Sequence, residues 1–411
     1  MFLSYLRIAV ILFVISALSA CSFQRETWTS TLAASPNAIE AALTSDKNYP
    51  YLLDVDRSFI PQITPPSNLR PCCAFGMDIK SSIVNVSIPF YRVSNILALE
   101  DIGPHVYDAG FLGRGTDSEV ESNEKNGLLY TCEGGFIDTA HVRDYSDWTV
   151  FLYTWISTYQ GEDAELLLPP EIGNRILKLH AYDNSHLSFM EQKQLNIALA
   201  QWLAFKVSVW HEIAQSHGLS TVEGFPEFAS AYSIEDLYSN VLGTQIGAAL
   251  IAGHATFTDQ LYARSFDTWL KNTLRHMNHL SLEESRAYMQ AVDQHWWDSN
   301  ERLPNKYVVL ARNYDVGLRQ QPPRIPEALK AKMPAEFQQA CPAEIPAREL
   351  LIAEQYAGFE LAKLATLQID ILPKYQEKFN YPNELTRSTH RLTDADFPAI
   401  AEITQLADDI E

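Results

Sequence analysis

The chain has 411 residues, 46% hydrophobic and 20% charged, a globular composition too apolar for a disordered polymer. Its 31 basic and 51 acidic residues give a formal charge of −20. That balance argues against nucleic acid as a partner, because an acidic surface repels phosphate instead of releasing its counterions. It also gives no attraction to anionic lipid. The length allows two or three domains of ~150 residues or one large one.

Arg7 precedes an apolar run from Ile8 to Leu18. The run is shorter than the ~20 residues of a membrane span and suits a secretory signal over 1–20. It ends in Leu18-Ser19-Ala20-Cys21, which resembles the bacterial lipoprotein box, with the lipid carried by Cys21. Cleavage before Cys21 removes Arg7 and no acid, leaving 30 basic against 51 acidic residues, a charge of −21. Ser22 stands where Asp would retain a lipoprotein at the inner membrane, so the expected address is the outer membrane, facing the periplasm. The membrane is then a partner through the lipid alone, and any envelope partner is unspecified. No later segment reaches ~18 uncharged apolar residues.

Residues 21–64 read as a lipidated N-terminus and tether, 65–325 as the main globular domain. Strand-like patterns occupy 70–131, where Ser82–Ile88 alternates in part and Asn126-Gly127 enters a strand. From Asp138 helical periodicity takes over, predicting helices near 139–159, 170–181, 188–217, 234–252, 256–277 and 282–297. Six prolines between 322 and 346 make an extended crossing segment. A last helix over 347–366 and an acidic tail complete a segment 326–411. The expected fold is α+β, mainly helical, around a central buried helix at 188–217. Cys72, Cys73, Cys132 and Cys341 remain after processing. In an oxidising compartment the adjacent pair is expected to bridge once, to Cys132 or Cys341.

On the 188–217 helix, Ala200, Ala204, Ser208 and His211 share one face. The following helix opens Ser233-Ile-Glu-Asp236, similar to a capping box. It continues with Ser239, Gly243 and Gly247, a stripe expected to lie against the Ala200/Ala204/Ser208 face. That packing would bring His211 to Asp236.

Three polar clusters carry the candidate chemistry. Gly134-Gly-Phe-Ile-Asp138-Thr-Ala-His141-Val-Arg-Asp144 puts His141 on the same stripe as Tyr145, Trp148 and Trp155, with Asp138 as N-cap. Trp210-His211-Glu212-Ile-Ala-Gln215 resembles the start of a zincin helix but has Gln215 where the second His belongs, so it is not one. Glu235-Asp236-Leu-Tyr-Ser-Asn240 supplies acids in a first helical turn. His295-Trp-Trp-Asp298 reads as aromatics closing a core. No nucleophile elbow, P-loop or dinucleotide fingerprint is present.

The words Arg70-Pro-Cys-Cys-Ala-Phe-Gly76, Gly134–Asp144, Trp210–Ala214 and Glu235–Asn240 together resemble a proteobacterial lipoprotein family of unknown function, domain-of-unknown-function family 4056, over roughly residues 65–325. The resemblance implies no activity and transfers no catalytic residue. Two functions stay open. One is a metal-dependent hydrolase of an envelope component. There Asp138, His141, His211 and Asp236 hold a divalent metal, zinc first, Glu212 is the base, and Tyr145 or Asn240 stabilises the oxyanion. The other is a non-enzymatic lipoprotein that binds a partner, with the same groups as a hydrogen-bond network. A thiol enzyme using Cys132 is a third, minor reading.

Overall fold

The computed structural model describes residues 31–44, 64–67, 70, 74–83, 86–93, 95–109, 124–220, 227–379 and 390–410. The signal sequence, Cys21, Cys72 and Cys73 lie outside them. In chain order the main elements are α1 (Pro36–Leu43), β1 (Ile79–Ile83), β2 (Val86–Val93), β3 (Leu128–Thr131), β4 (Gly135–Asp138) and α2 (Thr139–Thr158). Then come β5 (Ala164–Glu171), β6 (Gly173–Leu179), α3 (Phe189–Ser216), α4 (Asp236–Ala252), α5 (Asp259–His276) and α6 (Leu282–Ala291). The chain closes with β7 (Ala365–Ile371), β8 (Arg391–Thr393) and α7 (Phe397–Asp408). The protein is α+β and mainly helical. Among the described residues no helix is long and apolar enough to cross a membrane.

Helices α2, α3 and α4 form the centre. Every residue of α4 is buried, and α3 is buried along most of its 28 residues. A helix apolar or small on all sides must sit inside a bundle. Ser188 and Glu191 close a capping box at the start of α3. At α4 the expected box is not formed: Glu235 is the N-cap residue without a side-chain cap bond, and Ser233 Oγ donates instead to Glu235 Oε2 at 2.6 Å.

The glycine stripe of α4 meets α2, not α3. A Cβ on Gly243 would lie 3.0 Å from the Cα and carbonyl carbon of Val142, and closer to its oxygen. One on Gly247 would lie 3.0 Å from Ser146 O. One turn earlier, Asp138 N donates to Ser239 Oγ at 2.9 Å. The three contacts climb both helices in the same sense, so α2 and α4 run parallel with their N-termini together. Helix α3 runs the other way, since Asn196 bonds Ser157 at the far end of α2.

Two predicted helices do not form. Residues 170–179 fall in the β5–β6 hairpin, and 347–366 hold short strands and a one-turn helix, Leu361–Leu364, leading into β7. Strands β8-β7-β6-β5 form one antiparallel sheet, with Leu177 facing Leu367 and Leu166. Thus the C-terminal segment completes the main sheet. Cys132, after β3, bridges Cys341, 209 residues away. The expected bridge from Cys72 or Cys73 to either of these is thereby overturned, and Cys132 has no free thiol for catalysis. The Cα atoms lie 5.2 Å apart because the crossing segment packs back on β3.

Candidate metal centre

Hairpin β3–β4 turns at Glu133-Gly134-Gly135, where Gly135 has φ +68° and a Cβ would run into the Pro323 carbonyl, leaving no room for a side chain. Strand β4 runs straight into α2, and Asp138 is the cap, accepting from Ala140 N at 2.6 Å. His141 follows one turn on. Because α4 starts beside α2, Asp236 in its first turn reaches the same point. Asp138, His141 and Asp236 each offer a ligand atom within 4.8 Å of the others, all buried. This is a group that can hold a metal ion.

The surroundings of Asp236 fit such a group. Neither Asp236 oxygen has a hydrogen-bond partner, and the residue is wholly buried. A buried carboxylate left so is costly. Its Oδ1 lies 3.3 Å from His141 Nε2 without hydrogen-bond geometry. His141 Nδ1 lies 2.8 Å from Asn240 Oδ1, which as oriented makes Nδ1 the protonated nitrogen and leaves a lone pair on Nε2. Burial pushes the His141 pKa down from its ordinary value and outweighs the pull of Asp138, which acts the other way. Two lone-pair atoms 3.3 Å apart match the edge of a tetrahedron with ~2.0–2.1 Å metal bonds.

Further acids crowd the point. Burial lifts the Glu212 carboxyl to about 7 and that of Glu235 to about 8; Asp236 is raised by burial and by both these neighbours. Glu212 Oε2 accepts from Tyr232 N at 2.7 Å, while Glu212 Oε1 and Glu235 Oε1 have no partner. These orphaned oxygens repeat the signal of Asp236.

A family model described as a protein of unknown function, DUF4056, matches residues 60–326. The chain belongs to DUF4056. No curated protein and no solved structure matches it. The DUF4056 match contains all three residues of the centre and ends before β7, which the described fold adds to the sheet.

The remaining expected residues of this DUF4056 chain fall as follows. His211 is outside the three-residue group. Its Nδ1 lies 3.3 Å from Glu171 Oε1, which also pairs with Arg175 Nη1 at 2.9 Å. Burial opposes its charge, but Glu171 outweighs it and raises the ring to about 9, so His211 is an imidazolium. It still lies within electrostatic reach of His141. Tyr145 stacks on His141 with ring centres 6.3 Å apart, and burial holds its hydroxyl protonated. Asn240 has an amide nitrogen without an acceptor. His141, His211 and Glu171 keep 4–6% of their surface, whereas Asp138, Glu212, Asp236 and Asn240 keep none. What little surface remains at and beside the centre is on the two histidines and Glu171.

Sequence reasoning missed Glu171 and Arg175, and it named Glu235 only as an acid of a first helical turn, with no part at the centre. Glu171 had no signal, since a hairpin read as helix brings it under His211. It also missed a second buried charge network. Arg70 bonds Glu124 at 2.7 Å, Asp144 at 2.6 Å and Asp147 at 3.1 Å. His105 Nε2 lies 2.9 Å from Asp147, and Arg143 bonds Glu124 at 2.8 Å. Asp144 and Asp147 share one face of α2, three residues apart, which was the available sign.

Proposed function

We propose that the chain is a lipoprotein, carried by Cys21 at the periplasmic face of the outer membrane, whose buried centre binds a divalent metal, zinc first, and hydrolyses an envelope component. The observation that carries the metal reading is Asp236, a buried carboxylate with two orphaned oxygens, one of them 3.3 Å from His141 Nε2. The address rests on the Leu18-Ser-Ala-Cys21 box and Ser22.

Asp138, His141 and Asp236 would hold the ion. Bound there, it would lower the pKa of a water towards neutrality. Glu212, with its carboxyl lifted to about 7, is the group assigned to take up and return a proton. The free amide nitrogen of Asn240 and the protonated hydroxyl of Tyr145 are the donors assigned to a developing oxyanion. His211, expected among the ligands, is assigned a different role: as an imidazolium beside the centre it favours an anionic or carbonyl-bearing substrate.

Elemental analysis of tag-free protein tests the centre. Near-stoichiometric metal is expected in the wild type, with loss in His141→Ala and Asp236→Asn at unchanged circular dichroism. A folded wild type that holds no metal and takes up no zinc would overturn the reading. The burial of all three ligands favours one alternative, a structural centre in a partner-binding lipoprotein. Metal-replete Glu212→Gln with undiminished hydrolysis of purified envelope material, or no such hydrolysis by the wild type, would select it.

A further inference from the structure

A second feature lies on the other side of the 229–236 turn. A cavity of about 560 Å³ opens between the C-terminal end of α3, the Lys306–Arg312 loop, the Lys378 segment and helix α7. That volume is in the range of small-molecule sites. In a chain of charge −20, its lining carries Lys306, Arg312 and Lys378 against one acid, Asp408. His217 adds no charge, since burial and then Lys378 outweigh its bond to Ile213 O and push its ring down to about 4. Phe228, Ile403 and Ala407 supply the apolar wall.

The cations are built in. Arg312 donates from Nη1 to Ala231 O and from Nη2 to Lys306 O at 2.9 Å, which fixes its guanidinium plane. Its Nε lies 3.9 Å from Asp408 Oδ2, and Lys306 Nζ lies 3.4 Å from Asp408 Oδ1. Tyr314 donates its hydroxyl to the same carboxylate. Lys378 Nζ donates to His217 O at 2.7 Å and stands 5.8 Å from the Phe228 ring centre. So the chain's own carboxylate shows what this rim accepts, and the cavity lining holds three cations to one acid, with Glu212 and Asp236 within electrostatic reach of Arg312 from behind.

We infer that this cavity binds a small organic acid, its anionic head among Lys306, Arg312 and Lys378 and its apolar body along Phe228, Ile403 and Ala407. Asp408 is then a resident competitor for the head. The inference stands apart from the metal centre. The two are neighbours all the same, since Tyr232 lines the cavity while its N–H holds Glu212.

The test uses the full mature chain and the fluorescent anion 1-anilinonaphthalene-8-sulfonate, displaced by octanoate or by octanamide. Octanoate is expected to compete at least about tenfold better than the amide, the scale of one charge-assisted hydrogen bond. Lys306→Met and Lys378→Met should each weaken octanoate, and Asp408→Asn, which removes the competitor, should tighten it. Lys363→Met, whose exposed ammonium pairs with Glu360 elsewhere, should leave it unchanged. This opposite response of neighbouring variants is what a merely structural role would not produce. Equal competition by acid and amide, or lysine and Asp408 variants that bind octanoate like the wild type, would overturn the inference.

Discussion

Gly243→Ala tests the seam that brings His141 to Asp236. The new Cβ would stand 3.0 Å from two backbone atoms of Val142 and closer to a third, while ordinary contact begins at 3.4 Å. Because the obstacle is backbone, no side chain can swing aside, and α2 and α4 must part by more than the roughly 0.4 Å that the two 3.0 Å contacts alone require, since the Val142 oxygen is closer still. Overpacking costs ~1–3 kcal/mol, and rigid backbone puts this site near the top of that range. Alanine returns about 1 kcal/mol through helix propensity. The net expectation is a loss of about 2 kcal/mol, or a urea midpoint lower by roughly 0.7 M for a slope near 3 kcal/mol/M. Gly247→Ala meets Ser146 O at 3.0 Å and Thr149 at 3.1 Å and should cost less. Urea melts of both variants with unchanged slope provide the measurement. A Gly243→Ala protein as stable as the wild type, or more so, would show that the two helices do not touch here.

Three further outcomes are expected. Burial opposes the charge on His105, but Asp147 and Glu124 outweigh it together with the opposing Arg70, and its pKa is raised above the ordinary 6.5. A raised group stabilises the fold below its unfolded value and loses that contribution as pH climbs through the folded one. The advantage of wild type over His105→Gln should thus be complete below pH 6.5 and fade above it; a gap independent of pH in urea melts would refute this. Cys341→Ser should lower stability by about 2–5 kcal/mol, and non-reducing peptide maps should show Cys132 joined to Cys341; a map with both thiols free would sink the assignment. Radioactive fatty acid should label the wild type and spare Cys21→Ala, and equal labelling of both would remove the lipid anchor.

The long helices were legible because a ~3.6-residue period sustained over 20 or 28 residues is hard to mimic. The hairpin β5–β6 was not, since Leu166–Leu168 followed by two prolines hides the alternation that β6 shows only once paired. Strand β7 alternates cleanly over Ala365–Ile371, yet its partner lies almost two hundred residues upstream, which no local pattern reveals. At the site, each residue of the three-member centre was named from type and position. The companion was misassigned: Ser239, Gly243 and Gly247 announce a close helix neighbour without saying which one. With α4 buried on every side, no polar face was left to decide between α2 and α3.

The parallel start of α2 and α4 links occupancy to mechanical integrity. Asp138 caps one helix, His141 belongs to it and Asp236 starts the other, and the glycine contact closing them lies one residue past His141 and about two turns past Asp236. Both macrodipoles present their positive ends to the acids, which steadies the carboxylates without neutralising them. A bound cation would therefore act as a rivet across the seam, raising stability by RT ln(1 + [L]/Kd). The same coupling runs backwards: a change that shifts the equilibrium towards parted helices would lower the cation's apparent affinity, even where it touches no ligand.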